Sequence, residues 1–150
     1  MTKKSFLIAF LLVSLTSYCN AQGFQKMKID HVAVYVVNLQ QSGKFYMDIL
    51  GLDTMPELFH DKRHFWFSLG AGISLHMIQG AEKSKEYFQN DHLCLRTDNV
   101  VAFTKHLEAN KVVWFDVKGN PNKITSRVDG VQQVWVKDPD GYWIEVNNAK

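Results

Sequence analysis

The chain has 150 residues, enough for one domain or for two small halves that share a core. Its hydrophobic share of 46% and aromatic share of 13% are those of a packed globular protein. A formal charge of +2, with no run of Lys and Arg along one face, argues against nucleic acid as a partner. The N-terminus is of another kind. Lys3 and Lys4 precede an almost wholly apolar run, residues 6–15, and small or polar residues follow as far as Cys19-Asn20-Ala21-Gln22. Basic start, short apolar core and small residues at the cut are the layout of a secretory leader, 1–21, cleaved after Ala21. The run falls short of the roughly 20 residues that span a bilayer, so the mature chain is expected in the periplasm or outside the cell, with no membrane contact. Cys19 offers a lipoprotein alternative, disfavoured by the bulky Tyr18 beside it. After cleavage Cys94 is the only cysteine, which leaves no internal disulfide.

In the mature chain, residues 28–37 predict a strand, and Asn38 an N-cap for a helix over 39–50 that ends at Gly51. A second strand is expected over 52–59, weakened by Pro56 and so at an edge. The polar patch 60–64 leads to a third strand at 65–69. Gly70-Ala71-Gly72 then turns the chain into a fourth strand at 73–78. Residues 80–90 read as a linker between one module, 28–79, and a second, 91–148.

The pattern then starts again. Asp91-His92 opens a strand as Asp30-His31 does, and Asp98 is the expected cap of a helix over 99–109. Strands follow at 112–117, within 126–136 and at 142–147. The last two are joined by Asp138-Pro139-Asp140-Gly141, a tight-turn sequence. Strand-helix-strand-strand-strand occurs twice, an α+β order.

The repeat sets the chemistry. His31 and His92 open the first strand of each half, and His76 and Glu145 lie in the last strand of each. A carboxylate in an otherwise apolar strand is costly to bury unless a positive charge meets it. Two-fold pseudo-symmetry would bring all four side chains to one point. Imidazole and carboxylate are the ligand set for one divalent ion per site: Zn, Ni, Fe, Co or Mn. Three His and one Glu leave coordination positions open for a substrate. Tyr35, Arg96 and Trp143 are candidate substrate contacts. Arg96 has a sheet-margin ion pair as its alternative, and Trp143 a place in the core. His60 and His64 are expected to be solvated in their polar patch, His106 to lie on the outer face of its helix, and Cys94 to be a packed thiol.

These motifs resemble those of the vicinal oxygen chelate superfamily, the glyoxalase I, fosfomycin-resistance and extradiol dioxygenase group. The resemblance rests on Asp30-His31-Val32-Ala33-Val34 with Phe45-Tyr46 and Leu50-Gly51-Leu52, on Asp91-His92, and on the run from Asp138 to Glu145. It implies paired βαβββ modules forming a curved eight-stranded cleft around a metal, with ligands at His31, His92 and Glu145. In glyoxalase-like members the place of His76 usually holds Glu or Gln, so the two-carboxylate proton shuttle of glyoxalase I is not expected. Export also argues against it, because glutathione is chiefly cytosolic.

The favoured expectation is a metal-dependent lyase or isomerase of glyoxalase type, acting on a small substrate chelated through neighbouring oxygens. Glu145 is the candidate general base and His76 the alternative. An Fe(II) extradiol-type dioxygenase with His31, His92 and Glu145 as ligands is a second reading. A small-molecule binding protein, as among bleomycin-resistance relatives, is a third. In the family resembled, sites occur both within one chain and between two, so a homodimer is possible.

Overall fold

In the computed structural model, which describes residues 26–150, the doubled order is built as two sheets. The leader and Cys19 lie outside the described residues. Module one comprises β1 (His31–Val36), α1 (Leu39–Lys44) with a π-helical turn over Phe45–Ile49, β2 (Thr54–Met55), β3 (His64–Ser68) and β4 (Ser74–Gln79). Module two comprises β5 (His92–Arg96), α2 (Val100–Ala109), β6 (Trp114–Phe115), β7 (Thr125–Ser126), β8 (Gln132–Lys137) and β9 (Trp143–Asn147). The strand orders are β1-β4-β3-β2 and β5-β9-β8-β6, with the short β7 added on β8. In each sheet the first and last strands of the module run parallel at one end, and the rest is antiparallel.

Register makes the two sheets copies. His31 stands opposite Ser74, Ala33 opposite His76, and Trp66 opposite His76 from the other side. In module two His92 stands opposite Trp143, Cys94 opposite Glu145, and Trp135 opposite Glu145. Because side chains alternate, one face of each sheet carries these residues and the other carries the core. The core faces are apolar: Val34, Val36, Phe67, Leu75 and Met77 pack with Leu39 and Tyr46, and Val134, Val136, Ile144 and Val146 with Val100 and Leu107. Gly43 lets α1 lie directly on Phe65, whose ring would collide with a β-carbon there.

Three expectations change in detail. The strand foreseen over 52–59 shrinks to β2, because Pro56 lacks an N–H for a ladder. Beyond it the chain turns, with Glu57 accepting from the backbone N–H of Phe59 and, at 2.6 Å, of His60. The cap of α2 is Asn99, whose side-chain oxygen accepts from Ala102 N–H at 2.9 Å, and not Asp98. And β3 begins at His64, which removes that residue from the polar patch.

The Asp-Pro-Asp-Gly turn fastens module two onto module one. Asp140 accepts from the Val37 N–H at 2.7 Å and the Ser42 hydroxyl at 2.5 Å, across the chain from its own strand. Asp138 accepts from the Tyr46 hydroxyl at 3.0 Å and from the N–H groups of Asp140 and Tyr142 at 2.9 and 2.8 Å. Both carboxylates are buried. Burial raises Asp138 to about 6, against the pull of its bonds from Tyr142 and Tyr46. Gly141 has φ of 93° and the Lys85 carbonyl sits where a side chain would begin, so the turn needs glycine twice over. Among the described residues no helix is long and apolar enough to cross a membrane.

Candidate metal centre

The end strand and its parallel neighbour place one donor pair on each sheet. In module one the His31 and His76 rings lie edge to face with centroids 5.8 Å apart. In module two the His92 Nε2 is 3.0 Å from Glu145 Oε2. The geometry is the same diagonal in both, since His76 and Glu145 each stand two residues beyond the partner of the opening histidine.

Each ring nitrogen facing away from the site is committed. His92 Nδ1 lies 2.8 Å from the Gln89 carbonyl oxygen, which can only accept, so Nδ1 carries the proton and Nε2 the lone pair. His31 Nδ1 is likewise 2.7 Å from the Asp30 carboxylate, which leaves its Nε2 as the donor. Backing of this kind orients metal-binding histidines. Glu145 is buried, and Asn147 occupies its Oε1 with an amide N–H at 2.8 Å. Its Oε2 is left facing His92 Nε2 across a gap that a proton on the imidazole or a metal ion can fill. About 3 Å is also the spacing of adjacent ligands around an ion with bonds of about 2.1 Å. This donor pair suits a divalent cation as well as a proton.

His76 is buried under Trp66, whose ring stacks on it at 3.8 Å and 8°. Burial, then the neighbouring His64 and His31, lower its pKa, which favours the neutral imidazole that a metal needs. His64, expected in solvent, is instead half-buried on this face with Nδ1 2.6 Å from His76 Nε2. The Cys94 thiol beside Glu145 accepts from Asn147 at 3.1 Å and is pushed up to about 11 by desolvation and then by the carboxylate. The residue is exposed and so is not the packed thiol expected, and the raised pKa keeps it protonated and a poor nucleophile.

The substrate candidates separate. Tyr35 shares the face of His31, four residues along, and is 44% exposed with its hydroxyl against Gly80. Trp143 is buried beside His92, with its indole N–H spent on the Tyr87 carbonyl at 3.0 Å and the Lys137 ammonium 4.7 Å above its ring. It offers packing and no hydrogen bond. Arg96 lies on the face of His92 but four residues along, roughly 13 Å at strand rise. There it lines a cavity of about 480 Å³ between the modules, with Leu50, Ser68 and Phe103.

The four donors do not meet in one chain. Among the described residues no group of three or more His, Cys, Asp or Glu side chains is placed to hold a metal ion. The structure groups them as two pairs, His31 with His76 and His92 with Glu145.

The fold agrees with comparison to known proteins. Residues 28–146 match the model of the Glyoxalase/Bleomycin resistance protein/Dioxygenase superfamily. The chain belongs to that superfamily. Within the superfamily it is similar to a lactoylglutathione lyase of Haemophilus influenzae, 29% identical over 129 residues that cover 79% of this chain and 90% of the relative. Among solved structures it is similar to the oxidase ChaP-H2, with a TM-score of 0.69 and 18% identity, covering 84% of this chain and 96% of that one. The fosfomycin resistance protein FosX of Listeria monocytogenes gives a TM-score of 0.65 at 17% identity, covering 84% and 96%. Members of the superfamily are often metal-dependent enzymes that act on small molecules, and the donors here have the chemistry for such an ion.

Sequence reasoning overlooked two residues. Asn147, which holds Glu145, was within reach, because alternation puts it on the same face two residues on. His64 was hidden by a strand start placed one residue late; begun at His64, the same alternation leads through Trp66 to the site.

Proposed function

We propose that the mature protein is an exported, divalent-metal-dependent lyase or isomerase of glyoxalase type, acting as a homodimer on a small substrate with two neighbouring oxygens. The observation that carries the proposal is the pair of lone-pair donors, His92 Nε2 and Glu145 Oε2, 3.0 Å apart with their other polar atoms already engaged. His31 and His76 of one copy would complete the ligand set with His92 and Glu145 of another, because one chain supplies only half-sites. The bound ion supplies Lewis-acid polarisation of the substrate oxygens. Glu145 takes the proton from the carbon beside them, held in line by Asn147, and returns it to the neighbouring atom. His76, neutral at physiological pH, is the alternative base. Tyr35 meets the substrate from the exposed rim, and the leader at 1–21 directs the chain to the periplasm or beyond. A glutathione conjugate fits that location poorly, which points to a different small oxygenated substrate.

The test is metal content and subunit complementation. Protein purified without chelators should return about one ion per chain, two per dimer. His31→Ala and His92→Ala should each lose it, whereas the two variants co-refolded should recover about a quarter of the sites, since half the dimers are mixed and each has one intact site. Iron with oxygen uptake on catechols would replace the lyase reading by a dioxygenase. A wild-type chain that binds small molecules but no metal would leave only a binding protein.

A further inference from the structure

We propose that the cavity of about 480 Å³ between the modules binds a small zwitterion with an aliphatic body, its carboxylate on Arg96 and its ammonium toward Asp53. The proposal does not depend on a metal. Arg96 closes β5, four residues beyond His92, and the cavity opens there onto the segment after the π-helical turn and the end of β3 in module one.

The floor of the cavity is unfinished core. Leu50, Leu52, Leu69, Leu95 and Phe103 all pack against the buried cluster, all line the cavity, and all are only half-buried. Large apolar side chains left partly wet at one place gain from any aliphatic group that covers them, at about 25 cal/mol per Å².

The rim supplies one charge of each sign, from opposite modules. Among the lining residues Arg96 is the one cation and Asp53 the one anion. They do not pair with each other, and among the described residues neither charged group has an ion-pair partner. Both are placed by their backbones: the Asp53 carbonyl accepts from Ser68 N–H at 2.9 Å, and Thr97, next to Arg96, donates its N–H to the Asn147 carbonyl at 2.8 Å. Two hydroxyls stand between them in kind. Ser68 Oγ accepts from Gly70 N–H at 3.2 Å and Thr97 Oγ1 from Asn99 N–H at 3.4 Å, and each keeps its own hydrogen to donate. An anion alone would meet Arg96 and be repelled by Asp53, and a cation alone the reverse. A ligand with both charges answers both, and its carboxylate matches the fork of a guanidinium. The volume lies within the usual range for small-molecule sites, about 300–1,000 Å³.

Proton–nitrogen correlation spectra of the whole mature chain, titrated with leucine, read the site through the backbone amides of Ser68, Gly70, Arg96 and Thr97. Leucine should shift these amides saturably, with or without a chelator present. Three further probes each lack one feature: isocaproate the ammonium, isoamylamine the carboxylate, glycine the aliphatic body. Each should bind at least about tenfold more weakly than leucine. Arg96→Gln should weaken leucine by about tenfold or more. Asp53→Asn should weaken leucine but strengthen isocaproate, because it removes the repulsion that only the bare anion meets. Shifts that never saturate, isocaproate bound as well as leucine by wild type, or leucine binding indifferent to Arg96→Gln or lost with a chelator, overturns the proposal. Both substitutions alter exposed side chains and spare the backbone bonds around them; should a variant fail to fold, the wild-type probe series decides alone.

Discussion

Module one and module two hold out different chemistry from the same backbone. Residue for residue along the ladders, His31 matches His92, Trp66 matches Trp135, and Asn38 caps its helix as Asn99 does. Yet His76 stands where Glu145 does, His64 where Gln133 does, and Ala33 where Cys94 does. One half-site is built of imidazoles and the other holds the only buried carboxylate of the four donors. The difference teaches that the fold specifies positions and the sequence specifies charge. In the proposed dimer a pair carrying the carboxylate and a pair of imidazoles would share one divalent ion.

The sharpest way to break that comparison is to remove the anion. Glu145→Gln keeps the shape of the side chain and its bond from Asn147, so circular dichroism and thermal melting should change little. Metal affinity should drop by more than about a hundredfold, beyond what the loss of a backing residue costs. Turnover should vanish with it. If the variant keeps its ion and its activity, the carboxylate half is no more functional than the imidazole half, and the assignment of Glu145 as base is wrong.

A second contrast sets the half-sites against the clasp that holds the modules together. Asp138 and Asp140 are buried carboxylates too, but every nearby donor is an uncharged N–H or O–H, and their work is mechanical. The Asp138 value of about 6 has a sign that can be checked. Its folded pKa lies above the unfolded value of about 3.9, so the folded state holds the extra proton between those limits and the clasp loses stability as pH rises from about 4 to about 6. The ceiling is about 3 kcal/mol, and above about pH 6 the loss is complete. Asp138→Asn should flatten this slope, because an amide oxygen still accepts from Asp140 and Tyr142. Urea unfolding of both proteins at several pH values measures it; parallel slopes would show that Asp138 titrates normally.

Much of this was legible from period and repeat. Alternation from Glu145 and the second Asp-His were enough to put four donors at two equivalent places, because a strand offers only two faces. The Asp-Pro-Asp-Gly turn was legible as a turn but not as a clasp, since its partners Val37, Ser42 and Tyr46 lie some hundred residues away. The division of the donors into two pairs was not legible either. Symmetry within a chain predicts equivalent positions, and says nothing about whether the equivalent faces close on each other or on a second copy. His106 illustrates the same limit: it sits on a helix surface as expected, yet its ring meets the Asp48 carbonyl at 2.9 Å in the other module.

The smallest effect tests whether the modules are energetically as alike as they look. Asn38 and Asn99 occupy the same place in the repeat, each with extended backbone and a side-chain oxygen accepting from the N–H three residues on, at 3.0 and 2.9 Å. Replacing either by Ala leaves that N–H without a protein partner and should cost about 1 kcal/mol. Asp98 stands one position before the cap and makes no such bond, contributing only its charge near the start of α2. Asp98→Ala should therefore cost a few tenths of a kcal/mol, fading as salt is added. Chemical denaturation of the three variants separates these cases. Equal costs for the two asparagines mean that module one, with its shorter α-helix and π-helical turn, leans on its cap as module two does. A larger cost at Asn38 would show that a helix of six residues has less beyond its cap to hold it.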